Sequence, residues 1–235
     1  MNNKKMTICF LVLIISVTIK AQSNFSFGLN LSYLNNYRII TNSKSDVLKD
    51  SRNSNEKPMS GFDIEALIHY RIKENIFIET GVGYSKTGYV TKEERIIDPG
   101  FSPLTASYIY ELHRYPFGNI YIPVHLTYIS SKKLNYSITF GPSLLFPVSN
   151  NIEWILRKEP GDSGNQMKSI TPNENIKNMN LTLDLGIGIG YRFSEKFNLI
   201  LQPKMTYYLL GYDNNMMTDH LFSYGISLKL IHRFK

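Results

Sequence analysis

The sequence predicts an all-β protein, an eight-stranded antiparallel up-and-down transmembrane β-barrel with short periplasmic turns and long extracellular loops. Three observations carry this: eight stretches of period-two alternation, connections that alternate short and long, and polar faces built from small residues. Each element is taken in chain order below.

Lys4 and Lys5 precede a nearly uninterrupted apolar run, Met6 to Ile19, and Lys20-Ala21-Gln22 then offers a small residue at which to cut. The run is too short and wrongly flanked for a spanning helix, so it reads as a secretory signal peptide. The expected organisation is a cleaved signal over residues 1–21 and an outer-membrane β-barrel domain over 22–235. Cys9 is the only cysteine and leaves with the signal, which excludes disulfides, thiol catalysis and cysteine-held metals from the mature chain. Cleavage also removes Lys4, Lys5 and Lys20, so the net charge falls from +7 to +4. That weakens any nucleic-acid reading.

The first alternation sets Phe25, Phe27, Leu29, Leu31 and Tyr33 against Ser26, Gly28, Asn30 and Ser32. The second opposes Phe62, Ile64, Ala66, Ile68 and Tyr70 to Asp63, Glu65, Leu67, His69 and Arg71; the third opposes Ile76, Ile78, Thr80, Val82 and Tyr84 to Phe77, Glu79, Gly81, Gly83 and Ser85. Strands four and five follow around Ile120–Tyr128 and Tyr136–Phe140. The sixth is the cleanest, with Leu181, Leu183, Leu185, Ile187, Ile189 and Tyr191 against Thr182, Asp184, Gly186, Gly188, Gly190 and Arg192. The seventh spans Phe197–Tyr207 with Lys204 on its polar face, and the eighth Phe222–Leu230 with Lys229 on its polar face. Such repetition implies one sheet.

Tight polar turns are predicted near Lys73-Glu74-Asn75, Ser130–Lys133 and Ser194-Glu195-Lys196. Long irregular segments are expected at 35–60, 90–116, 148–179 and, shorter, near 211–220. Strict alternation of short and long connections is the wiring of an outer-membrane barrel, with both chain ends in the periplasm. The polar faces decide between water and lipid. A soluble barrel would crowd its outer face with Lys and Glu, whereas Gly, Ser, Thr and Asn prevail here. Tyr70, Tyr128, Tyr136, Tyr191, Phe193, Phe197 and Phe234 would form a periplasmic aromatic girdle, and Tyr33, Tyr84, Tyr207 and Tyr224 an outer one.

These residues resemble a known family, the PorT-like outer-membrane β-barrel domain. The pieces that carry the resemblance are Tyr121-Ile122-Pro123-Val124, Phe140-Gly141-Pro142-Ser143, Asp184-Leu185-Gly186, Gly190-Tyr191-Arg192-Phe193 and Tyr207-Tyr208-Leu209-Leu210-Gly211. Ser223 to Phe234 looks like the aromatic-ended signal read by the barrel-assembly machinery, although Lys235 follows the terminal Phe. The resemblance implies the fold and an outer-membrane location. It implies little about activity, because the family's members differ chiefly in their loops.

Inward-facing charges are the first candidates for chemistry: Asp63, Glu65, His69, Arg71, Glu79, Asp184, Arg192, Lys204 and Lys229, with His125 and Arg233. Opposite signs occur in comparable numbers, so an ion-pair network filling the lumen is the expectation. An enzyme acting on envelope lipid would need a Ser or His with an orienting acid, and nothing marks such a pair. The five histidines have no metal-site spacing, and Asp46, Asp50, Glu93 and Glu94 lack an ordered calcium pattern, so no cofactor is expected. Gly186, Gly188 and Gly190 sit mid-strand at period two and read as room for bulky lumen neighbours.

Trp154, Ile155 and Leu156, in the third long segment, are the candidate contact for a protein partner. The bland alternative is that strand five continues above the membrane, since Phe146, Val148, Ile152, Trp154 and Leu156 keep its parity. Segment 148–179 carries four acids and four bases, so it is no polybasic patch for nucleic acid. The functional expectation is a non-enzymatic barrel with a surface, envelope or secretion-accessory role through its external loops. Its expected partners are outer-membrane lipid, the assembly machinery during insertion and a protein at the loops. The competing readings are a membrane-embedded enzyme acting on envelope lipid and a narrow pore.

Overall fold

Period two in the sequence becomes inside and outside in the fold. On the strand from Phe197 to Tyr208, Leu199, Leu201 and Met205 are 38%, 53% and 49% exposed, while Asn198, Gln202 and Lys204 are 1%, 3% and 9% exposed. The polar face is therefore the interior. In water, leaving one such Leu or Met exposed forgoes roughly 1.5–3 kcal/mol, and the exposed apolar set runs around the whole circumference. Only a hydrocarbon solvent makes that surface stable.

The computed structural model describes residues 24–42, 46–95, 110–161, 166–173, 176–211 and 218–233. The segment expected to be a signal peptide, Phe234 and Lys235 lie outside the described residues. In chain order the elements are β1 (Phe25–Asn42), α1 (Asp46–Asn55), β2 (Glu56–Lys73), β3 (Ile76–Thr91), β4 (Glu94–Arg95), β5 (Tyr110–Ile129), β6 (Leu134–Arg157), β7 (Gln166–Pro172), β8 (Asn180–Arg192), β9 (Phe197–Tyr208) and β10 (Thr218–Arg233). Eight strands close an antiparallel ring, β1-β2-β3-β5-β6-β8-β9-β10 and back to β1. The predicted fold holds, and all eight predicted strands lie in that ring.

The expected long loops are more ordered than irregular segments. β1 runs on to Asn42, and α1 fills the middle of the first expected loop. Asp46 in its first turn and Arg52 in its last complement the helix dipole, and Asn53 accepts from the Ile40 backbone N–H at 3.2 Å. β3 reaches Thr91, β5 already begins at Tyr110, and β6 continues to Arg157 before hairpinning into β7. The barrel wall thus rises above the outer girdle on β1, β2, β3, β5 and β6. The periplasmic turns are tight, as predicted. Arg192 N–H donates to the Lys133 carbonyl at 2.8 Å, and Arg233 N–H to that of Lys196 at 2.7 Å.

Two apolar layers close the lumen. Phe77, Ile129, Ile200 and Ile231 form the periplasmic one. Tyr89, Phe117, Tyr121, Leu145, Ile176, Tyr208 and Leu221 form the extracellular one, with Ile176 entering from the connection after β7. The polar interior lies between them.

Candidate functional site

Strand register builds the lumen network. His69 on β2, Glu79 on β3 and His125 on β5 are direct cross-strand partners in sequence. His125 sets Nδ1 3.3 Å from Glu79 Oε1 and Nε2 3.2 Å from Asp184 Oδ2, so only the doubly protonated ring donates to both carboxylates. Lys229 Nζ donates to Glu79 at 2.6 Å, and His69 Nδ1 lies 3.4 Å from the same carboxylate. Lys204 reaches Asp63 at 3.0 Å, Glu65 at 3.3 Å and Asp184 at 3.9 Å. Its cross-strand neighbours are Gly186 and Gly225, which leave its long side chain free to cross the barrel.

Glycine does the same for Glu65, whose neighbour Gly83 lies under the Tyr121 ring. A Cβ on Gly83 would meet Tyr121 Cζ at 2.5 Å. The ring lies over that gap and its hydroxyl donates to Glu65, while Asn30 donates to the other Glu65 oxygen at 2.9 Å. Gly186 likewise makes room for Gln202, whose amide nitrogen stands 2.0 Å from where a Cβ would be. Tyr121 and Ser143 are members that the sequence reading missed. Their inward parity with His125 and Gly141 was the available signal.

One arrangement has the order of a hydrolase triad. Ser143 Oγ is 3.2 Å from His125 Nε2, and His125 Nδ1 faces Glu79. Ser143, however, donates its proton to Asp184 at 2.6 Å, and all of these side chains are buried mid-lumen. The two adjoining cavities hold about 20 Å³ each, room for about one water molecule apiece. A lipid substrate cannot reach this serine without opening the barrel. Among the described residues no group of three or more His, Cys, Asp or Glu is placed to hold a metal.

Arg71 and Arg192 do not sit among the pairs of Lys204 and Lys229. With Arg233 they occupy the periplasmic mouth, where β2, β8 and β10 end. The sequence reading grouped all inward charges because parity gives the face of a residue and not its height.

Above the outer girdle, Arg38 pairs with Glu56 and lies 3.7 Å from Asp219, while its guanidinium covers the Tyr89 ring at 4.0 Å. Burial alone would lower the Arg38 pKa, yet the Glu56 hydrogen bond and the surrounding anions raise it above its usual value. Burial also holds the Tyr89 phenol far above its ordinary range. Tyr89 stacks on Tyr115 at 4.4 Å, and His113 stacks on Trp154 at 6.4 Å. Trp154 Nε1 donates to Glu111 at 3.1 Å.

The strand continuation expected through Trp154 is present, but its parity is not kept. Gly118 pairs with Ser149 and Asn119 with Pro147, so Val148 is an extra residue that reverses the inward face of β6. Trp154 therefore faces the mouth beside His113. Of the three candidate contact residues only Trp154, 39% exposed, reaches the surface; Ile155 and Leu156 are 2% and 1% exposed and offer a partner nothing. Among the described residues the freely exposed strand is β7, whose seven residues are exposed on both faces and which pairs with no described strand but β6.

No curated protein matches the chain in sequence. Among solved structures it is similar to the Neisserial surface protein A, with 11% identity, 89% of this chain and 97% of that chain covered, and a TM-score of 0.45. It is also similar to Ail, the attachment invasion locus protein of Yersinia pestis (7%, 88% and 99% covered, TM-score 0.40). A third is the N-terminal β-barrel domain of Pseudomonas aeruginosa OprF (9%, 86% and 96% covered, TM-score 0.28). The family described as the outer membrane protein beta-barrel domain matches residues 20–211, which takes in every ring strand except β10. With its polar interior, lipid-facing wall and tight periplasmic turns, the chain belongs to the outer membrane protein beta-barrel domain family.

Proposed function

We propose that this protein is a non-enzymatic recognition barrel, its wall a scaffold in the outer membrane and its raised extracellular sheet the working surface. The β6–β7 hairpin is the observation that carries this. β7 is a strand without burial on either face, and its side away from β6 pairs with no described strand, so it offers backbone groups and the side chains of Met167 and Ile170 to a partner. A photo-crosslinking residue at Met167 or Ile170 in intact cells is expected to yield a discrete protein adduct, while one at lipid-facing Leu201 yields none. Equal or absent adducts at all three would sink the reading.

Two physical points weigh against the other roles. The buried Ser143 has no route to substrate, which disfavours an envelope-lipid enzyme, and the two apolar layers disfavour a pore. We further propose that the barrel is of the PorT-like kind and that residues 1–21 are removed on export. Gly190-Tyr191-Arg192-Phe193 supports the first by ending β8 at the periplasmic girdle. The basic-then-apolar start supports the second, and N-terminal sequencing of the mature protein is expected to begin at Gln22.

A further inference from the structure

The ladder between β6 and β7 settles which backbone groups of β7 point outward. Asn173 N–H donates to the Asn150 carbonyl at 3.0 Å, one step beyond the pair Asn151–Pro172. In an antiparallel ladder the bonded positions recur at every second residue, so Thr171, Ser169 and Met167 also turn their backbone groups toward β6. Gln166, Lys168, Ile170 and Pro172 turn theirs away from it. Pro172 suits that edge, since the donor it lacks would have pointed outward. Lys168, a residue type that commonly guards an edge, is engaged with Glu153 at 3.0 Å. All seven residues of β7 are exposed, and no described strand pairs with its outer side.

This outer edge is complementary to itself. When two copies of β7 run antiparallel with Ser169 facing Ser169, Lys168 of each copy lies opposite Ile170 of the other, and each pair exchanges N–H and C=O groups. The Gln166 N–H meets the Pro172 carbonyl, so every outward residue is used. Side chains match as well: Met167 lies beside Thr171 on one face, and the Lys168 stem covers Ile170, 56% exposed, on the other. At the axis the α-carbons approach to about 4.5 Å, a separation that two serines fill without a clash. Moving the axis to Lys168 would set two like charges directly opposite each other. Moving it to Ile170 would carry Gln166 past the end of the partner strand. The register centred on Ser169 avoids both.

Direction decides where the second copy stands. Phe146 is level with Tyr84 of the outer girdle through Ile120, and β6 runs on from there to Arg157, roughly 35 Å of strand. β7 returns along it toward the membrane. The β7 strands of two barrels in one membrane therefore run the same way, and antiparallel pairing requires a second barrel that faces the first. We propose that β7 joins two copies of this chain across opposed outer membranes, as one continuous sheet β6–β7–β7–β6, and so makes a homotypic contact between cells. The inference rests on the recognition role given above and names its partner. One strand pair is small beside a standard interface, and many such pairs acting in parallel between two membranes supply the hold.

The test uses the full barrel in phosphatidylcholine vesicles, where it is the sole protein, and follows vesicle clustering by light scattering. Wild-type vesicles are expected to cluster. Ser169→Glu and Ser169→Lys each set like charges face to face on the axis, from an exposed position. Each alone should slow clustering about fivefold or more, and mixing vesicles of the two variants should restore it. If a Ser169 variant fails the heat-dependent gel shift that marks a folded barrel, Ile170→Pro takes its place: it removes an outward donor from both copies, leaves the bonds to β6 intact and should slow clustering likewise. No clustering by the wild type, undiminished clustering by the variants, or no rescue on mixing overturns the proposal. Unclustered vesicles together with a crosslink from Met167 to a different protein in cells would remove self-pairing and keep the recognition role; no clustering and no adduct would remove both.

Discussion

The ammonium of Lys204 on β9 lies 3.0 Å from the carboxylate of Asp63 on β2, across the lumen and 141 residues away in sequence. The same ammonium serves Glu65 and Asp184, so one cation binds three anions from two sides of the barrel. Lys204→Met removes that cation and leaves the carboxylates buried together. The expected loss is about 3–5 kcal/mol, the usual result of breaking a buried pair from one side. Urea unfolding in lipid vesicles measures it, and a loss below 1 kcal/mol, roughly the worth of an exposed pair, would mean the network is wetter than its geometry implies.

The Ser143–His125–Glu79 alignment has a different predicted outcome. Ser143→Ala removes a buried donor to Asp184, so a stability loss of about 1–3 kcal/mol is expected with lipid A unchanged by mass spectrometry. Altered lipid A in cells carrying Ser143→Ala or His125→Asn, with the barrel folded, would restore the enzyme reading.

Lipid contact is tested on the outer face. Ile187 on β8 is 60% exposed and central between the aromatic girdles. Ile187→Arg should cost on the order of 2–4 kcal/mol in a bilayer, as for cationic residues near a barrel's midplane. Placing the arginine at exposed Lys133, in a periplasmic turn, should cost almost nothing. Equal effects at the two positions would contradict the membrane placement.

The raised sheet depends on the buried Arg38–Glu56 pair. Arg38→Met is expected to speed amide exchange over residues 56–59 and 86–91 while the strands between the girdles stay protected. The pH behaviour follows from the sign of the shift. Because the folded pKa of Arg38 is raised above the ordinary guanidinium value, its contribution is complete below that ordinary value and is lost only at still higher pH. Raising the pH from 7 to 10 should therefore leave exchange in this sheet unchanged apart from the intrinsic rate. A selective loosening there would show that Arg38 is not held as described.

Much of this was legible in the sequence because a strand's side-chain period is two. Leu199, Leu201 and Met205 against Asn198, Gln202 and Lys204 already state two faces, and small residues on the polar face state that this face is confined. Alternation therefore determined the strands and their inward rows, the small residues of the polar face determined the lipid-facing wall, and short polar segments determined the tight turns. Height and pairing were not legible. His125 meets Glu79 and Asp184, while Arg71 and Arg192 fall to the mouth with Arg233, only because ring closure sets the stagger of each strand against its neighbours. A single extra residue, Val148, turns Trp154 from the predicted outer face to the inner one, and a bulge has no signature in a parity count. The sequence by itself determined which way each side chain points along a regular strand, because the pleat is local. Only the tertiary structure decided which charges meet and which stand apart, because register, bulges and closure depend on the whole ring.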